Sequence, residues 1–460
     1  MLKKVALVSA IALLLLGTLL KDSALAAPSD VNAAISNAQT AADTTFVLIS
    51  AALVLLMTPG LAFFYGGMVR SRNILNTLMM SFVVMAIVGV TWILWGYSLA
   101  FAPGNPIIGG LQWLGLNHVG YELTNYLQGS NPVDVVSYAP TIPHQAFTIY
   151  QAMFAIITPA LISGAIVERM NFTAYSLFVL LWSTFIYTPL AHMVWAKGGL
   201  LGSYGGWGAL DFAGGTVVHI SSGVSALVAA IVLKPRKTYP HRLSPPHNVP
   251  FILLGASLLW FGWFGFNAGS ALASGKLATA AFIATNTAAA AGALMWLILE
   301  KVLRSKPTAV GAATGAVAGL VGITPAAGFV TPLAAILIGA ITAFACFYAV
   351  SFKHKLQVDD ALDSYPVHGV GGTVGAILTG FFATKTVNSA GANGLLFGNP
   401  MQVLIQIVTV AVVYIIAGVG TWIILKILDV TVGLRIREEA ELEGMDINEH
   451  GEEGYNDDIA

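Results

Sequence analysis

Charge is what this chain has least of. Asp, Glu, Lys and Arg make up 9% of its 460 residues, against about 25% in soluble domains. No basic patch points to nucleic acid. Cysteine is nearly absent as well. Cys346 stands alone, which excludes an intrachain disulfide and a cysteine-rich metal centre. Residues 102–146 contain neither lysine nor arginine, so that stretch would not repel an arriving cation.

What is present is apolar surface. Hydrophobic residues make up 57% of the chain, with 48 glycines, which suits closely packed membrane helices. The composition implies an all-α polytopic membrane protein. Apolar windows of membrane length fall near 45–66, 75–101, 147–167, 172–194, 213–233, 250–269, 277–302, 308–325, 329–351, 366–384 and 401–428. That predicts eleven transmembrane helices. The window at 308–325 is mostly Gly and Ala, better suited to a bundle interior than to lipid. Lys3 and Lys4 precede an apolar run from Val5 to Leu20, and Ala24-Leu25-Ala26 offers a cleavage site, so residues 1–26 read as a signal peptide. Residues 27–44 read as a polar outer segment, 45–429 as the membrane domain and 430–460 as a cytoplasmic tail.

Lysine and arginine set the orientation. With the mature N-terminus outside, fifteen fall on inner loops and the tail, among them Arg70, Arg169, Arg236, Lys353 and Arg435, against Lys197, Lys276 and Lys385 outside. This places the C-terminus in the cytoplasm and the protein in the inner (plasma) membrane. The 102–146 stretch becomes a long outer loop with Trp113, Tyr121, Tyr126 and Tyr138. It either roofs an entrance or, more simply, anchors aromatic residues at the interface.

One pattern occurs twice. Asp211 precedes the apolar, glycine-rich run that ends in His219. Asp360 precedes His368 by the same eight residues, and Gly-Gly-Thr-Val appears at 214–217 and again at 371–374. In a helix each histidine lies ~12 Å beyond its aspartate, close to the midplane of a ~30 Å hydrocarbon core. The two runs enter from opposite sides. Antiparallel copies of one element mark an inverted repeat, here helices 1–5 and 6–10 with helix 11 added, and a site between the halves.

A lone histidine in a helix is more often a packing residue, but two at matched depth point to a shared pathway. Metal ligation needs three or four ligands, and no third His, Cys or carboxylate shares this depth; His192 is too shallow. A bis-histidine haem site is a second use. The third is a narrow pore whose neutral imidazoles offer a donor and an acceptor to a small solute. Aromatic residues bear on the third. Trp195 ends span 4, Tyr150 and Phe154 share a face of span 3, and Phe266 lies near the outer end of span 6. Such a rim would collect a small cation, each partly desolvated contact contributing ~2 kcal/mol, although interfacial aromatic belts are also common. Asp211 is either a helix cap or a direct participant.

Together these segments resemble the ammonium transporter family (the Amt/Mep/Rh group). The matching runs are Ala62–Arg70, Ala191–Trp195, Asp211–His219, Trp263–Ser270, Val367–Gly369 and Val432–Ile436. The likeness runs from about residue 45 to the C-terminus. It implies a non-enzymatic transporter without cofactors, a homotrimer with one pore per subunit, and ammonium as substrate, with methylammonium as an analogue. It implies that Trp195, Phe154 and Ser270 form an outer recruitment site with Tyr150 beside it. Phe154 and Phe266 would form a gate, His219 and His368 the pore pair, and Asp211 the entrance acid. The tail could contact neighbouring subunits and dock a PII-type regulatory protein; more simply, it is a solvated acidic end. The runner-up function is an ammonium sensor signalling through that tail, and a haem-based membrane redox enzyme is the third reading.

Overall fold

The computed structural model describes residues 28–121, 123, 138–240 and 245–455. The expected signal peptide, Tyr126 and Arg242 lie outside the described residues.

Among the described residues, nine helices are long and apolar enough to cross a membrane. They are α1 (Pro28–Met68), α2 (Ser71–Phe101), α3 (His144–Ile166), α4 (Phe172–Trp195), α5 (Gly215–Leu233), α6 (Val249–Ala271), α7 (Lys276–Arg304), α9 (Pro332–Lys355) and α11 (Met401–Thr431). Two further helices occupy the remaining expected windows: α8 (Ala309–Ile323), the short Gly/Ala-rich one, and α10 (residues 365–382). The first helix starts well before residue 45. The outer segment expected at 27–44 is helical from Pro28 and continuous with the first span, because nothing in it breaks a helix before Pro59.

α3 is the central helix, buried along almost its whole length, whereas α11 is the most exposed of the nine. Glycine sets the closest approaches. α1 lies along α6, with Gly60 and Gly67 of the first and Gly255 and Gly262 of the second pressed against the opposing helix. α5 crosses α10 where Gly223 meets the backbone of Gly369. Small residues permit this contact, and in a bilayer such packing replaces the hydrophobic drive of water. α5 and α10 also share a local irregularity. Each opens with a widened π-type turn, Gly215–Ile220 and Tyr365–Val370, and each turn contains its histidine. Single π turns are rare and favour functional positions.

One end of the bundle is tied by charge. Glu168 is buried between Arg70 at 2.9 Å and Arg236 at 2.7 Å. Arg236 also grips Asp359 through two bonds of 2.8 Å. Burial would raise the Glu168 carboxyl, but Arg236 and Arg70 outweigh it and hold the group at about 2.

The tail docks on this same end. Asn171 N–H donates to Leu434 O at 2.9 Å, and Ile436 N–H to Arg169 O at 3.1 Å. Two short helices follow, α12 (Glu438–Glu443) and α13 (Met445–His450). Asp446 accepts from the N–H groups of Leu75 at 3.0 Å and Asn76 at 2.8 Å, satisfying free donors at the start of α2. The alternative of a solvated end therefore does not hold for residues 434–446: Leu434, Glu441, Met445 and Asp446 are buried. Asp446 and Met445 find their partners at Leu75, Asn76 and Asn73, about 370 residues away, so composition alone made the segment look free.

Candidate functional site

Both histidine helices are started by an aspartate. Asp211 Oδ1 accepts from Gly214 N at 2.8 Å and Gly215 N at 2.7 Å, and Oδ2 accepts from Thr216 N at 2.8 Å, Val217 N at 3.3 Å and the Thr216 hydroxyl. Gly214 carries φ = +114°, a value glycine reaches without strain. Asp360 does the same work for α10, accepting from Ser364 N at 3.0 Å and Tyr365 N at 2.7 Å. The capping function of Asp211 is thus visible, and both its carboxylate oxygens are engaged by backbone N–H groups and the Thr216 hydroxyl.

From these starts the histidines converge. His219 Nδ1 and His368 Nδ1 lie 3.2 Å apart and the ring centroids 5.3 Å apart. Trp263 stacks on His219 at 5.3 Å and Phe266 at 6.0 Å. The two imidazoles join these rings, Leu161 and Val317 around a cavity of about 10 Å³, room for about one water-sized molecule. No charged side chain lines it. His219 Nε2 is buried without a hydrogen-bond partner. A porphyrin has no room between rings in direct contact, so the haem reading fails on space.

A separate, larger cavity of about 340 Å³ opens at the end opposite the tail. Phe154, Trp195, Asp211 and Ser270 line it, as do Lys197 and Tyr204. Phe154 and Phe266 stand between the two cavities, centroids 4.3 Å apart. Trp195 packs edge-on against Phe154 at 5.9 Å and donates its indole N–H to Asp211 O at 3.0 Å. Ser270 donates to Phe266 O at 2.9 Å. Tyr150 is fully buried, and its hydroxyl lies 2.9 Å from Gly265 O, 2.8 Å from Phe266 O and 3.1 Å from Ser270 Oγ. It supports the end of α6 and does not line the vestibule. The described part of the long loop contributes Tyr138, which lines the vestibule and donates to Phe101 O at 2.7 Å. Trp113 instead stacks on Tyr97 at 5.6 Å.

An uncharged cavity holding a histidine pair, closed by two phenylalanines beneath an aromatic vestibule, is the arrangement to compare with known proteins. The pattern of the Ammonium Transporter Family matches residues 45–455. The chain belongs to this family. It is 53% identical to an ammonium transporter of Bacillus subtilis over 91% of this chain and 99% of that one. It is 46% identical to one of Mycobacterium tuberculosis, covering 91% of each. Among solved structures, Mep2 of Saccharomyces cerevisiae superposes with a TM-score of 0.78 at 34% identity, covering 91% of this chain and 92% of that one. A sensor Amt protein superposes with a TM-score of 0.79 at 29% identity, covering 90% and 99%.

In this family member the sequence located the histidines, the phenylalanines, Trp195 and Ser270, and the structure brings all of them into one column. His192 stands apart, its ring nitrogens at 3.0 Å from Ala100 O and 2.9 Å from Asn105 O. Gln402 and Gln406, two carboxamides four residues apart on an otherwise apolar span, are buried beside Gly208 and Leu210, and their spacing is the trace of this in the sequence.

Proposed function

We propose that this protein carries ammonium across a membrane by separating the proton from the nitrogen. The observation that supports this most is the His219–His368 contact of 3.2 Å inside a cavity without charge. A bare ion entering such a space forfeits its hydration, at a cost far above thermal energy. Ammonium has a removable proton and potassium does not. The vestibule offers ammonium the faces of Trp195 and Phe154 and the Ser270 hydroxyl, with cation–π attraction of ~2 kcal/mol where water is displaced. The proton leaves near Asp211 or the first histidine and is relayed across by the His219–His368 pair, while the nitrogen passes Phe154 and Phe266. The two rejoin on the far side, so one positive charge crosses with each nitrogen. Neutral imidazoles bonded Nδ1 to Nδ1 present one Nε2 as acceptor and the other as Nε2–H donor. An ammonia molecule would then meet one of each.

In the same reading, α1 to α11 all cross the bilayer as an inverted repeat of α1–α5 and α6–α10 plus α11. The matched pairings of α1 with α6 and of α5 with α10 support the repeat. The fifteen-to-three lysine and arginine bias supports a cytoplasmic tail, an outward vestibule and an inner (plasma) membrane. The N-terminal segment is removed as a signal peptide. The protein assembles as a homotrimer, and its tail end receives a PII-type regulator.

Electrical recording on reconstituted vesicles tests the central reading. An ammonium gradient should drive current and an equal potassium gradient should not. The likeness to a sensor Amt protein favours one other reading, in which binding matters more than flux. Ammonium that stabilises the protein against heat while driving negligible current would select it.

A further inference from the structure

One carboxamide of α11 reaches the loop that leads into Asp211. Gln406 is 1% exposed and Gln402 2% exposed, although α11 is the most exposed of the long helices. Gln406 Oε1 accepts from Leu210 N at 2.8 Å, and its Nε2 donates to Leu210 O at 2.8 Å. It pairs with that residue as a neighbouring strand would. The second Nε2 hydrogen goes to Ala376 O on α10 at 3.1 Å. Gln402, one turn earlier, donates to Gly208 O at 3.0 Å and to Gln406 Oε1 at 3.3 Å. Every bonding position of Gln406 is taken. The reversed amide would set its NH2 against Leu210 N–H and its oxygen against two carbonyls, so the network fixes the orientation.

Leu210 immediately precedes Asp211. The Asp211 carbonyl receives the Trp195 indole, and its carboxylate starts the helix that carries His219. Gln406 therefore holds three things in register: the loop beneath Trp195, the start of α5, and the helix that carries His368. Polar side chains inside a membrane helix keep their partners because unpaired groups have no water to turn to.

We propose that Gln406 is a positioning residue for ammonium recruitment, fixing the height of Trp195 and Asp211 over the vestibule floor with Gln402 as its brace. The inference rests on the transport reading. A glutamine that merely stabilised the fold would alter thermal stability and leave the concentration dependence of transport untouched.

The test compares wild type, Gln406→Met and Gln402→Met in lipid vesicles, with currents recorded over a range of ammonium concentrations and thermal unfolding followed in parallel. Gln406→Met should raise the half-saturating ammonium concentration on the order of tenfold, the factor matching about one buried hydrogen bond. Its saturating current per folded molecule should stay within about twofold of wild type, since the histidine pair is intact. Gln402→Met should move half-saturation the same way by about threefold, since it removes the bonds to Gly208 O and Gln406 Oε1 but leaves the pairing of Gln406 with Leu210 in place. Unchanged half-saturation alongside a lower unfolding temperature overturns the inference. If Gln406→Met does not fold, Gln402→Met decides alone by the same criterion. A wild type that carries no ammonium current defeats the transport reading itself, and this inference with it.

Discussion

The rings of Phe154 and Phe266 meet with centroids 4.3 Å apart and planes tilted by 36°. They stand between a vestibule of about 340 Å³, which Phe154 lines, and the histidine cavity, which Phe266 lines. Replacing Phe266 with Ala removes one of these two rings and one of the two aromatic faces against His219, leaving Trp263 at 5.3 Å. Stability should fall by about 3–5 kcal/mol, as for other buried aromatics, and water should reach the imidazoles. We expect the ratio of ammonium to potassium current to drop in vesicle recordings. An unchanged ratio in a folded variant would show that selectivity lies elsewhere.

The histidine pair is the test of proton separation. The double variant His219→Ala/His368→Ala should lose ammonium current on the order of a hundredfold, the usual contribution of a positioned proton acceptor. Full ammonium current with potassium still excluded would defeat the mechanism.

Gly223 governs whether the rings can meet at all. A Cβ there would run into the Gly369 backbone one residue beyond His368. Gly223→Ala should push α5 from α10, with about 1–3 kcal/mol of overpacking. Flux per folded molecule should fall with it. Wild-type flux from this variant would mean that the crossing has slack.

The tail end should show acid sensitivity of known sign. Glu168 is held at about 2 against an ordinary value of 4.5, and Asp359 is likewise lowered, burial opposing and Arg236 prevailing. A depressed carboxyl stabilises the folded state fully above its unfolded value and loses that contribution as pH falls through the folded one. The unfolding temperature should therefore decline from about pH 4.5 towards pH 2. Glu168→Gln should unfold more easily at neutral pH, by about 3–5 kcal/mol for a broken buried pair. Its acid slope should also be shallower, and an identical slope would clear Glu168 of the effect.

Much of this molecule could be read from its sequence because a membrane imposes simple rules. The eight-residue interval from Asp211 to His219, repeated from Asp360 to His368, is enough to set the two histidines at one depth. Helical spacing placed Phe154 on an aromatic face. What stayed hidden was nonlocal or irregular. The Gly223–Gly369 crossing joins residues far apart in the chain. The π-type turns that aim both rings leave no periodic trace. Asp446 finds its partners at Leu75 and Asn76, across most of the chain, so its burial could not be seen in an acidic tail. Tyr150 kept its expected neighbourhood, but the carbonyl groups around its hydroxyl become visible only once α3 and α6 are packed.

The histidine cavity, at about 10 Å³, seats a single small guest. In the proposed transport, passage is then one at a time, and throughput has a ceiling set by how long each guest stays, however steep the gradient. A slightly larger amine would not need to cross to be felt: by lingering in the one seat it would slow everything queued behind it.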